Sequence, residues 1–190
     1  AGLAQLTSPG RLQLIGTDPI VYVDAAHNPH GAEALVRAVT ESFKFEELAI
    51  VTGILEEKDA EGLLETLAPI AHRVFVTAVD SPRTLASDDL AAVAETAIPD
   101  TPVETFDSLD HALDEARRWA QGANGRAVLV VGSVLLAGEA IAHDAQMTAS
   151  GMTTVLDALR IGAGPGEGVI AEQAGTLVDA IVHAADAGLL

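Results

Sequence analysis

Short β-branched runs alternate with segments of helical spacing along most of this chain, and that alternation constrains the fold more than any other feature. Residues 20–23, 48–52, 73–79, 103–106 and 127–131 are apolar enough to be buried strands, the last the most apolar of all. Strands separated by helices are joined by right-handed crossovers and lie parallel. A shorter run at 12–15, closed by a turn at 16–19, adds a strand at the beginning. The expected fold is α/β: an open, mostly parallel but mixed six-stranded sheet, Rossmann-like, with helices on both faces. No internal repeat interrupts it.

The intervening segments carry their own start and stop signals. Residues 30–43 place Leu35, Val36, Val39 and Phe43 on one side of a helix, with Pro29 tolerated in its first turn. Asp59 is placed to cap a helix bearing Leu63, Leu64 and Leu67, which Pro69 ends. Ser87, followed by two aspartates, reads as the cap of a helix reaching about Ala97. Ser108 opens an amphipathic helix with Leu109, Ala112, Leu113, Ala116 and Trp119, ending near Gly122. Aromatic residues are 3% of the 190 and apolar residues 49%. The core is therefore built from Ala, Val, Leu and Ile, small enough for helices to lie close on a parallel sheet.

From about Asp144 the character changes. Residues 146–154 are small and polar, 155–161 fit a helix, 162–168 are a glycine-rich break, and 169–190 form an Ala-rich amphipathic helix candidate. The glycine cluster lacks the Lys-Ser/Thr of a phosphate loop and no strand precedes it, so it reads as a hinge. The expected organisation is a linker end at 1–8, an α/β domain at 9–143, and an unassigned Ala/Gly-rich helical tail at 144–190, suited to docking or to oligomer contacts.

A formal charge of −18 repels nucleic acid and anionic membranes, and neither is an expected partner. It leaves nucleotide binding open, since local cations can reverse the field. No uncharged apolar run reaches the length of a membrane span, and the first eight residues lack the pattern of a secretory signal. A cytoplasmic location is expected. Without cysteine there is neither disulfide nor thiolate metal site.

Candidate site residues gather where strand 20–23 stops at an acid: Asp24-Ala25-Ala26-His27-Asn28-Pro29-His30-Gly31. In open α/β sheets, ligands bind at the carboxyl ends of strands, beside helix N-termini that attract anions. Asp24 suits a ligand contact, or equally a turn or capping carboxylate. His27 and His30 are three apart, yet no third ligand is in sight, so a zinc site is discounted and no metal ligand is assigned. His30 reads as solvated, as do His72, His111, His143 and His183. Ser133 follows the strand 127–131 through a glycine and suits either a ligand contact or a helix cap. It is no nucleophile elbow, since Val131 and Leu135 occupy the glycine positions of that motif. Lys58 and Asp59 read as a capped helix start.

These residues also carry a resemblance. Asp24-Ala25-Ala26-His27-Asn28-Pro29 is similar to the Asp-Gly-Ala-His-Asn-Pro signature of folylpolyglutamate and dihydrofolate synthases, within the wider Mur ligase family. Pro9-Gly10-Arg11 resembles that family's Pro-Gly-Arg. The segment from Gly53 to Lys58-Asp59 resembles its Gly-x-x-x-Asp-Lys-Asp, with Glu57 in place of the first Asp. Pro82-Arg83 and Gly132-Ser133, running on to Gly138-Glu139, match two later landmarks. Many members carry an aromatic residue where this chain has Leu135. The resemblance covers about residues 9–141 and implies a C-terminal domain facing an ATP-binding one.

It implies an ATP-dependent, amide-forming ligase. A folate or dihydropteroate carboxylate is activated as an acyl phosphate and then attacked by the amino group of L-glutamate. Arg11 and Asp24 would bind ATP, His27 would act in catalysis and hold glutamate, Ser133 would hold glutamate, and Asn28 and Arg83 would support them. ATP and Mg²⁺ are the implied cofactors. No Gly-x-x-x-x-Gly-Lys-Ser/Thr occurs in this sequence, so the expected partner is an N-terminal P-loop ATPase domain, and this chain alone is expected to be inactive. The alternatives are a Mur-type peptidoglycan ligase domain and a non-catalytic nucleotide-binding or interaction module.

Overall fold

The computed structural model describes the backbone of residues 11–162 and the side chains of residues 11–149. The expectations for residues 1–10 and 163–190, Pro9 and Gly10 included, lie outside the described residues. Six strands, β1 (Gln13–Thr17), β2 (Ile20–Val23), β3 (Glu47–Thr52), β4 (Arg73–Thr77), β5 (Val103–Phe106) and β6 (Arg126–Val131), form one sheet. Its order is β1-β2-β6-β3-β4-β5. Only the β1–β2 pair is antiparallel; every other neighbouring pair is parallel. The mixed, mostly parallel sheet read from the sequence is the one observed.

Five helices cover both faces: α1 (Pro29–Ser42), α2 (Ala60–Leu67), α3 (Ser87–Ala97), α4 (Leu109–Gln121) and α5 (Val134–Gly162). On one face Leu35 and Val39 of α1, Leu63, Leu64 and Leu67 of α2, and Leu90 and Ala94 of α3 bury Leu48, Ile50, Val74, Val76 and Leu129. On the other, Leu113 and Ala116 of α4 and Leu136 and Ala140 of α5 bury Val21, Val23, Val51, Phe75, Val128 and Val130. The chain divides into two units, Ala1–Asp144 and Ala145–Leu190, and the sheet belongs to the first. Among the described residues no helix is long and apolar enough to cross a membrane.

Four local expectations change. The turn expected at 16–19 is tighter, because β1 continues through Gly16 to pair Thr17 with Ile20. Gly16 marks a register shift in the ladder instead, and a Cβ there would lie 3.2 Å from Val21. β4 stops at Thr77 rather than Val79, whose N–H is taken by the Thr84 hydroxyl at 2.9 Å. Ser87 is not the cap of α3. Ala86 holds that position without a side-chain bond, and the Ser87 hydroxyl donates to the Phe106 carbonyl of β5. Residues 146–154 do not interrupt α5. Small polar side chains are compatible with a solvent-facing helix, and one interior glycine costs only about 1 kcal/mol.

The glycines that matter most lie where β3, β4 and β6 leave the sheet. A Cβ on Gly132 would sit 2.6 Å from Thr52 Oγ1 and 2.9 Å from the Gly53 carbonyl, and Gly132 has φ 129°. A Cβ on Gly53 would lie 2.8 Å from the Thr77 carbonyl. Backbone thus approaches backbone where side chains would hold the strand ends apart. Gly132→Ala combines a backbone region closed to L side chains with a clash, and is expected to cost on the order of 3 kcal/mol. Urea denaturation should show it as a lowered midpoint with an unchanged slope.

Candidate functional site

The segment after β2 is an extension of the sheet rather than a loose loop. Asp24 N–H donates to the Val130 carbonyl at 2.8 Å, and Gly132 N–H donates to the Ala26 carbonyl at 3.0 Å. The Asp24 carboxylate, 9% exposed, accepts from Ala26 N–H at 2.8 Å through Oδ1 and from Leu12 N–H at 2.9 Å through Oδ2. Bonds from N–H groups to an ionised carboxylate are among the stronger protein hydrogen bonds. They tie the start of β1 to the end of β2.

Two alanines then let the chain pass close to the first turn of α1. A Cβ on Gly31 would stand 3.3 Å from that of Ala26. His27 Nδ1 lies 3.0 Å from the Ala25 carbonyl; the tautomer that donates there keeps Nε2 as an acceptor. Asn28 caps α1 by accepting the Gly31 N–H at 2.8 Å, and Pro29 fills the first helical position, where no N–H is needed.

These groups border a cleft of about 670 Å³. Its lining runs from Arg11 and Leu12 through Asp24, His27 and Asn28 to His30, Ala34 and Ala38 on α1, with Val134 at the start of α5. Arg11, Asp24, His27 and Asn28, singled out in the sequence, are therefore brought together. The lining also takes in residues that had not been assigned a role there. His30, its side chain 97% exposed, Ala34 and Ala38 recur at every fourth position and turn one stripe of α1 to the cleft. That spacing was the available signal, beside the apolar stripe of the opposite register.

A chain with 28 acids and 10 Lys and Arg residues puts one acid in this lining. Both oxygens of that acid already accept backbone N–H groups, while Arg11, His27 and His30 stand around it. The Arg11 guanidinium in this lining is of the kind that holds phosphate oxygens in a bidentate fork. Among the described residues no three His, Asp or Glu side chains converge to hold a metal ion.

Ser133 and Arg83 lie outside the lining. Ser133 is 3% exposed and accepts the Leu135 N–H at 3.1 Å, the geometry of a cap on α5. Its neighbour Val134, 58% exposed, meets the cleft in its place. Arg83 pairs with Glu57 at 2.8 Å, and its carbonyl accepts the Glu56 N–H. Asp59 caps α2 through the Gly62 N–H at 2.9 Å. Glu139 of α5 accepts the Asp80 N–H at 3.1 Å. The segments 53–59, 80–85 and 133–139 thus brace one another at the strand ends.

The sequence profile of the Mur ligase glutamate ligase domain matches residues 10–134. The dihydrofolate synthase/folylpolyglutamate synthase of Mycobacterium tuberculosis is 36% identical over 151 residues, which are 74% of this chain and 31% of that protein. A structure of the Mycobacterium tuberculosis folylpolyglutamate synthase complexed with ADP superposes with a TM-score of 0.70 at 36% identity, over 73% of this chain and 32% of the other. The bifunctional folylpolyglutamate synthase/dihydrofolate synthase of Yersinia pestis, complexed with AMPPNP and Mn ion, gives a TM-score of 0.63 at 26% identity, over 72% and 31%. The chain spans about a third of the length of these relatives.

Burial raises the Glu139 carboxyl above its ordinary range; the Asp80 N–H opposes this, and the charges of Asp80 and Asp110 add to it. A raised carboxyl favours folding in its protonated form. That contribution is complete below the unfolded-state value of about 4.3 and is lost as pH rises through the folded-state value. Glu139→Gln keeps an oxygen for the Asp80 N–H and removes the charge. It is expected to raise the melting temperature at pH 7–8, by an amount that shrinks on acidification and vanishes below about pH 4. Melting curves from pH 4 to 8 for the two proteins test it.

Proposed function

The chain belongs to the Mur ligase glutamate ligase domain family, and on that premise we propose that it is the C-terminal, nucleotide-facing part of an ATP-dependent ligase adding L-glutamate to dihydropteroate or folate. The cleft after β2 carries this reading: it gathers Arg11, His27 and His30 with one acid, and sits at the carboxyl end of parallel strands. Relatives complexed with ADP or with AMPPNP and Mn ion support it.

In the reaction so assigned, a carboxylate oxygen of the pteroate or folate attacks the γ-phosphorus of ATP, and ADP leaves. The glutamate amino group then attacks the acyl carbon, phosphate departs, and an amide remains. Arg11 and Asp24 serve the nucleotide, Arg11 by holding phosphate oxygens. His27, fixed by the Ala25 carbonyl, orients the glutamate and steadies charge at the reacting groups. Asn28 supports His27 by fixing the first turn of α1. Ser133 contributes at one remove, as the cap that sets Val134 at the cleft, and Arg83 braces the neighbouring strand ends through Glu57. A divalent metal, Mg²⁺ in this reading, would neutralise phosphate charge from the partner P-loop domain, since the cleft offers it no ligand set.

Calorimetric titration with ADP checks the nucleotide assignment. Arg11→Ala is expected to weaken binding about tenfold or more, the worth of a charge-assisted bond; unchanged affinity would exclude Arg11 from the site. In a phosphate-release assay with ATP, Mg²⁺, dihydropteroate and glutamate, the chain alone is expected to show no turnover. Turnover would overturn the division of labour.

A further inference from the structure

We propose that His30 is a further binding residue of this cleft, its imidazole gripping an oxyanion group of the ligand; this deepens the nucleotide reading and rests on it. Other polar side chains of the lining already make hydrogen bonds within the chain. Asp24 accepts from the Ala26 and Leu12 N–H groups, His27 Nδ1 lies 3.0 Å from the Ala25 carbonyl, and Asn28 accepts the Gly31 N–H. His30 lines the same cleft with a side chain 97% exposed. Its charged neighbour among the described residues is Glu33, one turn along α1 and 61% exposed, with Oε2 3.8 Å from the imidazole Nδ1. That separation is too long for a hydrogen bond, and an exposed pair of this kind is worth little. Glu33 therefore holds the ring loosely, and from the Nδ1 side alone.

Position in the helix gives the ring its direction. His30 is the second residue of α1, which begins at Pro29, and helix side chains lean toward the N-terminus. The imidazole therefore leans toward the end of α1 that follows His27 and Asn28. Ala34 and Ala38, on the same stripe of the helix, also line the cleft and are too small to fill the space below the ring. Arg11 and His27 stand in the same lining. At so exposed a site the side chain is free to change rotamer, so the ring can leave Glu33 for an oxyanion that a ligand brings in. The phosphate of a nucleotide and the carboxylate of glutamate offer the same chemistry to an imidazole N–H; a purine ring does not.

NMR of the histidine rings in the 190-residue chain reads the contact directly. Saturation with ADP is expected to move the His30 ring resonances, and adenosine, which carries no phosphate, is expected to leave them in place. L-glutamate, titrated separately, distinguishes the two sources: a shift with ADP alone assigns the phosphate, and a shift with glutamate alone assigns the carboxylate. Equal shifts with adenosine and ADP would mean ring stacking and overturn the proposal, as would His30 resonances that stay in place in the saturated chain. His30→Ala is expected to weaken binding of the ligand that moves the ring about threefold to tenfold; unchanged affinity overturns the proposal. The melting temperature should not move, because the side chain is 97% exposed. Failure of the unsubstituted chain to bind ADP sinks the nucleotide reading. Inorganic pyrophosphate and L-glutamate then decide the assignment of His30, which falls if neither moves the ring.

Discussion

Strand β6, buried between β2 and β3, is the constraint on which the site depends. Ala127, Leu129 and Val131 face α1, α2 and α3, while Val128 and Val130 face α4 and α5, and all five are essentially inaccessible to solvent. Each larger apolar side chain so buried contributes about 1.5–3 kcal/mol, so the strand has one stable place and one register. Its carboxyl end then does two things. The Val130 carbonyl and the Gly132 N–H hold residues 24–26 in line with the sheet. Gly132, pressed against Thr52 and Gly53, turns the chain into α5 and sets Val134 at the cleft. Rigidity at Asp24 and Ala26 is therefore borrowed from the middle of the core.

Much of this was legible in the residues because strands covered on both faces are written as unbroken apolar runs. Residues 48–52 and 127–131 could hardly be anything else. What stayed illegible depended on partners distant in the chain. Gly16 looked like a turn and is a register shift, since only its pairing with β2 decides between the two. Ser87 carried a capping signal, but the Phe106 carbonyl of β5 takes its hydroxyl. At the site, Arg11, Asp24, His27 and Asn28 were legible as a constellation. His30, Ala34 and Ala38 were not, because a stripe of small residues on a helix looks the same over water as over a cleft. Ser133 suited a ligand or a cap, and the Leu135 N–H settled its hydrogen bond without a change of residue.

The motifs shared with the ligase family divide by mechanical role. One group lines the cleft: Arg11, the stretch from Asp24 to Gly31, and Val134. A second group lies outside that lining and laces strand ends together: Glu57 to Arg83, Glu56 to Arg83, Leu85 to Ile54, and Glu139 to Asp80. Side chains in the first group are aimed by backbones that the second group keeps in place. A motif match alone does not separate them, because holding a strand end and holding a substrate use the same polar residue types. The cleft lining separates them, since Arg83 and Ser133 lie outside it and Arg11 lies within it.

Charge bears on the proposed nucleotide reading of the cleft in so acidic a chain. At −18 its average field opposes a nucleotide polyphosphate, but in physiological salt that field is screened over about 8 Å. Groups within that range decide the potential at the cleft. The Asp24 carboxylate there accepts two N–H groups within 3 Å, and Arg11 brings a guanidinium to the same lining.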